Sequence, residues 1–318
     1  MDISEKLTGL TNDEIVFPRI GIDLHVNRTA FSIGSVDIQW YGVIISVGMI
    51  LALVFGFSQM KKYGLNPDRV IDCVIGGIVG GIVGARAYYV VMAWEDYADS
   101  PASIFNIRQG GLAIYGGIIG SLLVGLTIAK FKKVKILPLL DIVGMSFLIG
   151  QGVGRWGNFT NQEAFGGNTT LPWGMSGGLV QSHIATMIDQ GKSIDMYQTV
   201  HPCFLYESIW CILGFIVLFL ISKHRKFDGQ MFLLYLVWYG LGRSVIEGLR
   251  MDSLMLGNIR VSQALSVVLV LVSVILLIVY GSKVKRMGSD YTLYRDTPDS
   301  KLLLTDISVK EYNAKNKD

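Results

Sequence analysis

The sequence predicts an all-α polytopic membrane protein with about seven transmembrane helices and a small extracytoplasmic head between the fourth and fifth. Three observations carry this. Of 318 residues, 51% are hydrophobic and 17% charged, with mean hydropathy +0.46, too apolar for a soluble domain of this length. The apolar residues gather into seven stretches long enough to span a bilayer with some tilt. Lysine and arginine recur after alternate stretches, the asymmetry that sets orientation in a membrane.

Residues 1–37 form an N-terminal arm. MDISEKLTGLTNDEIVF has no basic leader and no continuous apolar core, so a cleavable signal peptide is not expected. Ile15, Val16, Phe17, Ile20 and Ile22 would let the arm lie along the outer interface, with a flexible arm the equal alternative. The expected spans run at about 38–60, 70–94, 111–130 and 136–155, then 203–222, 230–249 and 259–280. The sixth carries Arg243 and Glu247, so it belongs inside a bundle rather than against lipid.

Basic residues follow the odd spans: Lys61, Lys62 and Arg69; Lys130, Lys132, Lys133 and Lys135; Lys223, Arg225 and Lys226; Lys283, Lys285 and Arg286. The positive-inside rule places these ends in the cytoplasm, the N-terminus outside and the C-terminus inside. Residues 156–201 then become the extracytoplasmic head, an insert too long for a plain connection. The tail, 282–318, has too little apolar surface to pack and is expected to be disordered. Cys73, Cys203 and Cys211 show no CxxC or CxH spacing, so neither a disulfide framework nor a metal site is expected.

The most informative run, GQGVGRWGNFTNQEAFGG, follows the fourth span and holds Arg155, Asn158, Asn161 and Glu163. An arginine at mid-bilayer costs roughly 2.5–3.5 kcal/mol even on the lenient insertion scale, so it faces a partner or a wet cavity. On the sixth span Tyr239, Arg243, Glu247 and Arg250 fall at i, i+4, i+8 and i+11. At ~100° per residue they occupy an arc of roughly 80°. Mutual neutralisation explains Arg243 and Glu247 alone, whereas a shared polar cavity also explains Arg155 and the tyrosine.

Gly76, Gly77, Gly80, Gly81 and Gly84 read as close packing of the second span. Arg86 beyond them is either a structural partner or a phosphate-binding cation, and it counts as a substrate-binding candidate. GGLAIYGG opens the third span, where Tyr115 would turn its hydroxyl to the cavity. Cations, amides and tyrosines on one outer cavity suit an anionic headgroup, because arginine grips phosphate in a fork and stays charged. No lysine-bearing Gly-rich loop suggests a nucleotide, and no carboxylate cluster a divalent metal. No cofactor, metal or nucleic-acid partner is expected. The residues therefore reach a phospholipid-headgroup site on the outer face, either catalytic or transporting.

Four motifs then fall in order on this topology: Trp40-Tyr41-Gly42; G-R-x-G-N-F-x-N-x-E-x-x-G from Gly154 to Gly166; HPxxLYE from His201 to Glu207; and Y-G-x-x-R-x-x-x-E from Tyr239 to Glu247. On these the chain resembles the bacterial prolipoprotein diacylglyceryl transferases from the first span to the seventh. The resemblance implies transfer of the diacylglyceryl group of phosphatidylglycerol to the lipobox cysteine of preprolipoprotein signal peptides, with release of glycerol 1-phosphate. It implies a multi-pass protein of the bacterial cytoplasmic membrane, embedded in the lipid bilayer, with its site toward the outside.

By the same resemblance, Arg155 and Arg243 hold the phosphate and stabilise the leaving group. Asn158, Glu163 and Gly166 belong to the signature, Tyr41 and Tyr239 match family tyrosines, and Glu247 and Arg250 set the second arginine. One position departs: many members carry histidine where this chain has Tyr115. A phenol, ordinarily titrating near ~10, is a poor base at neutral pH but donates a hydrogen bond. Tyr115 is thus expected to orient the lipid, while the arginines favour the thiolate and do the electrostatic work. His201, before Pro202, reads as a helix-entry residue rather than a base. A transporter without chemistry is the rival from another class, although no internal repeat relates two halves of the chain. A metal- or histidine-dependent headgroup phosphatase or phosphotransferase is a second rival, for which the outer face lacks the residue arrangement.

Overall fold

The computed structural model describes residues 3–97, 101–106, 110–251, 255–256 and 259–305. A single turn, α1 (Ile3–Lys6), precedes β1 (Glu14–Phe17) and β2 (Ile22–His25), then β3 (Thr29–Ile33) and β4 (Val36–Gln39). Four long helices follow: α2 (Trp40–Gln59), α3 (Pro67–Met92), α4 (Ile114–Phe131) and α5 (Ile136–Asn161). After β5 (Ser176–Gly177) and α6 (Gly178–Asp189) come α7 (Cys203–Ser222) and α8 (Gln230–Leu249). β6 (Met255–Leu256) pairs with β7 (Ile259–Arg260), which leads into α9 (Val261–Met287), and α10 (Pro298–Thr305) is the last helix described.

Six helical stretches, those that contain α2, α3, α4, α5, α7 and α9, are long and apolar enough to cross a membrane. The chain is thus a mostly helical, polytopic membrane protein. Where a sixth span was expected the chain forms a helix, α8, 20 residues long, which is not among these six. Arg243, Glu247 and its glycines keep it outside the apolar set.

Two compact units emerge. Residues up to Gly56 with Asp141–Gly288 form the larger, and Phe57–Leu140 with the described residues from Ser289 onward form the smaller. In the larger unit the arm and the head insert are one body. β1 pairs antiparallel with β2 on one side and with β5 of the insert on the other. Ile15 and Phe17 join Phe159, Phe165, Met175, Val180, Ile184, Val200 and Phe204 in a buried core. Burial of this apolar set holds β1 down, so a flexible arm does not describe it, while Ile20 and Ile22 stay exposed.

Helix α8 is started by a carboxylate from another helix. Gly229 takes the left-handed conformation (φ +95°), and Asp141 of α5 accepts from Gly229 N at 2.8 Å and Phe232 N at 3.0 Å. The buried acid therefore satisfies N–H groups that a helix start leaves unpaired. Helices α7 and α8 are joined by two tryptophans: Trp210 Nε1 donates to Trp238 O at 2.8 Å, and Trp238 Nε1 to Trp210 O at 2.9 Å. The indoles stack with centroids 4.7 Å apart, and Gly214 and Gly242 leave the room each ring occupies.

In the smaller unit, a Cβ on Gly80, Gly84, Gly116 or Gly120 would run into the opposing backbone, which is why α3 and α4 pack face to face. Asn66 caps α3, accepting from Asp68 N at 2.9 Å with Pro67 in the first turn. The tail departs from expectation as far as Thr305. Ser300 Oγ donates to Gly64 O at 2.9 Å, Asn66 Nδ2 donates to Leu303 O at 2.9 Å, and Tyr294 is buried beneath Lys135. Polar bonds to the α2–α3 turn and one buried aromatic ring supply what its sparse apolar content does not. Residues 306–318 lie outside the described residues.

Candidate active site

Three helices of the larger unit bring the charged residues together, and a carboxylate sits at the centre. Glu207, on the first turns of α7, is 4% exposed. Its Oε2 lies 2.7 Å from Arg155 Nε, and its Oε1 lies 2.9 Å from Arg243 Nη1 and 3.7 Å from Arg250 Nη1. Arg243 Nη2 reaches Glu247 Oε2 at 2.5 Å, one helical turn on, and Glu247 is 1% exposed. The main-chain oxygen of Glu247 accepts from Arg260 Nη1 at 2.6 Å.

The geometry follows from local structure. Arg155 lies near the end of α5, where Asn158 is one turn ahead on the same face. Arg155 Nη1 donates to Asn158 Oδ1 at 3.2 Å, and Asn158 Nδ2 donates to Glu163 Oε1 at 2.8 Å. For Glu163 to reach back, the chain must turn sharply after Asn161. Gln162 (φ +53°) and Ala164 (φ +57°) take the left-handed conformation, uncommon for residues with a side chain. Gln162, fully buried, holds that turn: Nε2 donates to Asn12 O at 2.8 Å, and Oε1 accepts from Leu179 N at 3.0 Å and Val180 N at 3.3 Å.

Gly166 fixes the far corner. Its N–H donates to His201 O at 2.9 Å, and Gly167 N donates to Leu249 O at 3.0 Å, seating the signature against the end of α8 beside Arg250. A Cβ on Gly166 would stand 2.8 Å from His201 Cβ and 3.0 Å from Leu249 O, so only glycine fits. His201 Nδ1 lies 3.2 Å from Tyr206 Oη, which accepts from Trp173 Nε1 at 2.8 Å. Burial lowers the His201 pKa below its ordinary value of 6.5, and the ring is neutral at pH 7. This suits a helix-entry residue.

Tyr239 stacks on Tyr235 and lies within electrostatic reach of Arg155, Arg243 and Glu207. A small gap of about 10 Å³ opens among Glu207, Tyr239 and Arg243. Tyr41, 38% exposed, rests on α5 at Gly157, where an added Cβ would meet its ring at 2.9 Å.

Nine of the sequence candidates thus belong to the larger unit: Tyr41, Arg155, Asn158, Glu163, Gly166, Tyr239, Arg243, Glu247 and Arg250. Tyr115 and Arg86 belong to the smaller one. Tyr115 opens α4 and is 55% exposed. Arg86 corrects the sequence reading. Its Nε donates to Ile104 O (2.6 Å), Nη1 to Gly110 O (3.1 Å) and Gly111 O (2.9 Å), and Nη2 to Ser103 O (2.8 Å) and Asn106 O (3.0 Å). All five guanidinium donors are consumed by main-chain oxygens, so the structural alternative holds and no N–H remains for a phosphate. Sequence reasoning passed over Glu207 although HPxxLYE contains it; an ionisable residue inside an apolar span was the signal.

Chemically, three guanidiniums surround two buried carboxylates, leaving the cluster one positive charge in excess if all are ionised. Among the described residues, Arg155 Nη2 and Arg243 Nε have no partner. Donors pre-aimed by a buried carboxylate, with N–H groups to spare, are suited to an anion that gains charge during reaction.

The sequence profile of the prolipoprotein diacylglyceryl transferase family matches residues 28–279. The chain is 42% identical over 255 residues to the phosphatidylglycerol–prolipoprotein diacylglyceryl transferase of Staphylococcus aureus (strain Newman), covering 80% of this chain and 89% of that protein. It is 43% identical over 256 residues to the protein of the same name in Staphylococcus haemolyticus (strain JCSC1435), covering 80% and 88%. Arg155, Glu207 and Arg243 lie within the matched residues, and the chain belongs to the prolipoprotein diacylglyceryl transferase family.

Proposed function

We propose that this chain transfers the diacylglyceryl group of phosphatidylglycerol to the lipobox cysteine thiol of a preprolipoprotein, the first step of bacterial lipoprotein maturation. The cysteine sulfur attacks the glycerol carbon that carries the phosphate. A C–S bond forms, the C–O bond to the phosphate breaks, and glycerol 1-phosphate leaves with the bonding pair. The thiol proton passes to that phosphate. Arg155 and Arg243 hold the phosphate and stabilise the charge that grows on it, while Glu207, Glu247 and Asn158 aim the two guanidiniums. Tyr41, Tyr239, Glu163, Gly166 and Arg250 complete the substrate-binding set. Tyr115 orients the lipid by hydrogen bonding and is not the base. An ordinary thiol, near ~8.5, is already a few per cent thiolate at neutral pH, and neighbouring cations raise that fraction.

The observation that carries the reading is the arginine pair, clamped through Glu207 yet with N–H groups unspent. The same reading gives seven spans, with α8 as the polar-faced member, the N-terminus outside and the C-terminus in the cytoplasm. It places the protein in the bacterial cytoplasmic membrane with the site toward the extracytoplasmic side. The lysine-rich ends after the odd spans support that orientation.

The test is direct. Purified protein, phosphatidylglycerol and a lipobox peptide are incubated, and the peptide mass is read. A diacylglyceryl adduct on the cysteine, absent with Arg243→Ala and with a Cys→Ser peptide, is the expected result. An intact, lipid-binding protein that yields no adduct would favour transport without chemistry.

A further inference from the structure

One helical turn before Arg155 on α5 stands Gln151, and one turn before Tyr239 on α8 stands Tyr235. Gln151 Nε2 donates to Tyr235 Oη at 3.1 Å. Tyr235 is buried, and its ring stacks on Tyr239 with centroids 5.9 Å apart. Gln151 Oε1 is buried without a partner. The two side chains together own three donors, one phenolic O–H and two amide N–H. Their mutual bond uses one, whichever way round the amide is placed. Two donors are left over in an apolar bundle, where an unmade hydrogen bond is costly.

With the amide turned so that its oxygen accepts from the Tyr235 O–H, both amide N–H groups stand at the partnerless position, and a ligand that only accepts hydrogen bonds matches this surplus. Four residues of helix rise about 6 Å, so the pair lies one level below the arginines, toward the starts of both helices. In a diacyl glycerolipid the ester carbonyls accept and never donate. They hang from the two glycerol carbons that do not bear the phosphate. A lipid whose phosphate rests on Arg155 and Arg243 carries its esters to the next level along its acyl chains.

We propose that Gln151 and Tyr235 form a subsite that reads the ester linkages of the lipid. The pair hydrogen-bonds the carbonyls and thereby selects diacyl over dialkyl glycerolipids. The inference rests on the function proposed above and adds a specificity to it. Neither residue touches the reacting carbon, so both act by binding and positioning.

The experiment compares phosphatidylglycerol with two ester-linked chains against its analogue with two ether-linked chains, each assayed with the lipobox peptide. The unaltered protein is expected to prefer the diester. Tyr235→Phe and Gln151→Met should raise KM for the diester up to about tenfold, the scale of a lost hydrogen bond. They should leave the diether rate unchanged, so that the preference collapses. Native mass spectrometry of protein offered both lipids together gives the same ratio without turnover and covers a variant that is inactive. Equal losses with both lipids would identify the pair as purely structural and overturn the proposal, as would an unaltered protein that does not discriminate. Absence of an adduct from the unaltered protein with either lipid would instead sink the transferase reading, and this inference with it.

Discussion

Arg86 and the Arg155–Arg243 pair are arginines held within helices of one chain, and they are satisfied in opposite ways. Arg86 spends all five donors on main-chain oxygens of the loop before α4, with Tyr97 5.0 Å from its charge. Its charge meets dipoles and one ring, and its geometry is closed. Arg155 and Arg243 instead share a buried carboxylate and keep part of each guanidinium unspent. A carboxylate aims an arginine without exhausting it, whereas a ring of carbonyls fixes the chain around it. On the function proposed above, the number of donors left over, rather than burial or the mere presence of arginine in a span, is what would separate a binding arginine from a structural one.

That contrast can be broken, and the largest expected effect comes from the unspent side. Arg243→Ala should lower adduct formation by about 10²–10³-fold, the cost of removing one donor from a developing oxyanion, while the protein still purifies intact. Glu207→Leu should lower stability by about 3–5 kcal/mol, because removing one partner strands buried charges. Thermal unfolding in detergent measures it, and an unchanged midpoint would mean the arginines do not depend on Glu207. On the spent side, Arg86→Ala should cost about 1–3 kcal/mol of stability through orphaned carbonyls. Activity per folded molecule should stay the same, and a selective rise in KM for lipid would restore Arg86 to the binding set.

Two smaller effects sharpen the picture. Tyr115→Phe should reduce turnover about tenfold, the scale of one hydrogen bond. Complete loss of turnover with lipid binding retained would make Tyr115 part of the chemistry. The neutral His201 gives a pH signature. With its pKa lowered by burial, the stability it contributes is complete above 6.5 and is lost as pH falls through the lowered value. Unfolding midpoints at pH 7.5 and 5.5 should therefore differ, and His201→Gln should narrow the difference.

The contrast also marks how far the sequence could be read. The apolar stretches coincide with helices because hydropathy is a property of consecutive residues; α7 and α8 begin and end as expected, whereas α5 and α9 run on to Asn161 and Met287, past the expected ends at 155 and 280. Arg155, Arg243 and Glu247 were legible because charge inside an apolar run is conspicuous. Arg86 was equally conspicuous, yet its partners are main-chain oxygens, which carry no sequence signal. The merger of arm and head was also hidden, since it rests on β5, a strand of two residues, and on apolar side chains far apart in the chain. The ordered part of the tail was misjudged from composition, where a few placed bonds outweighed a polar average.

The reciprocal tryptophan pair gives the molecule an optical gauge. Two indoles stacked 4.7 Å apart couple their strong transitions, which gives a far-ultraviolet circular dichroism couplet whose sign depends on their mutual tilt. Trp210 lies three residues from Glu207, and Trp238 five from Arg243, on the helices that bring this carboxylate and guanidinium together. A slip of α7 along α8 would change the couplet as it pulled that ion pair apart, so the alignment of the two helices can be followed in solution without a label.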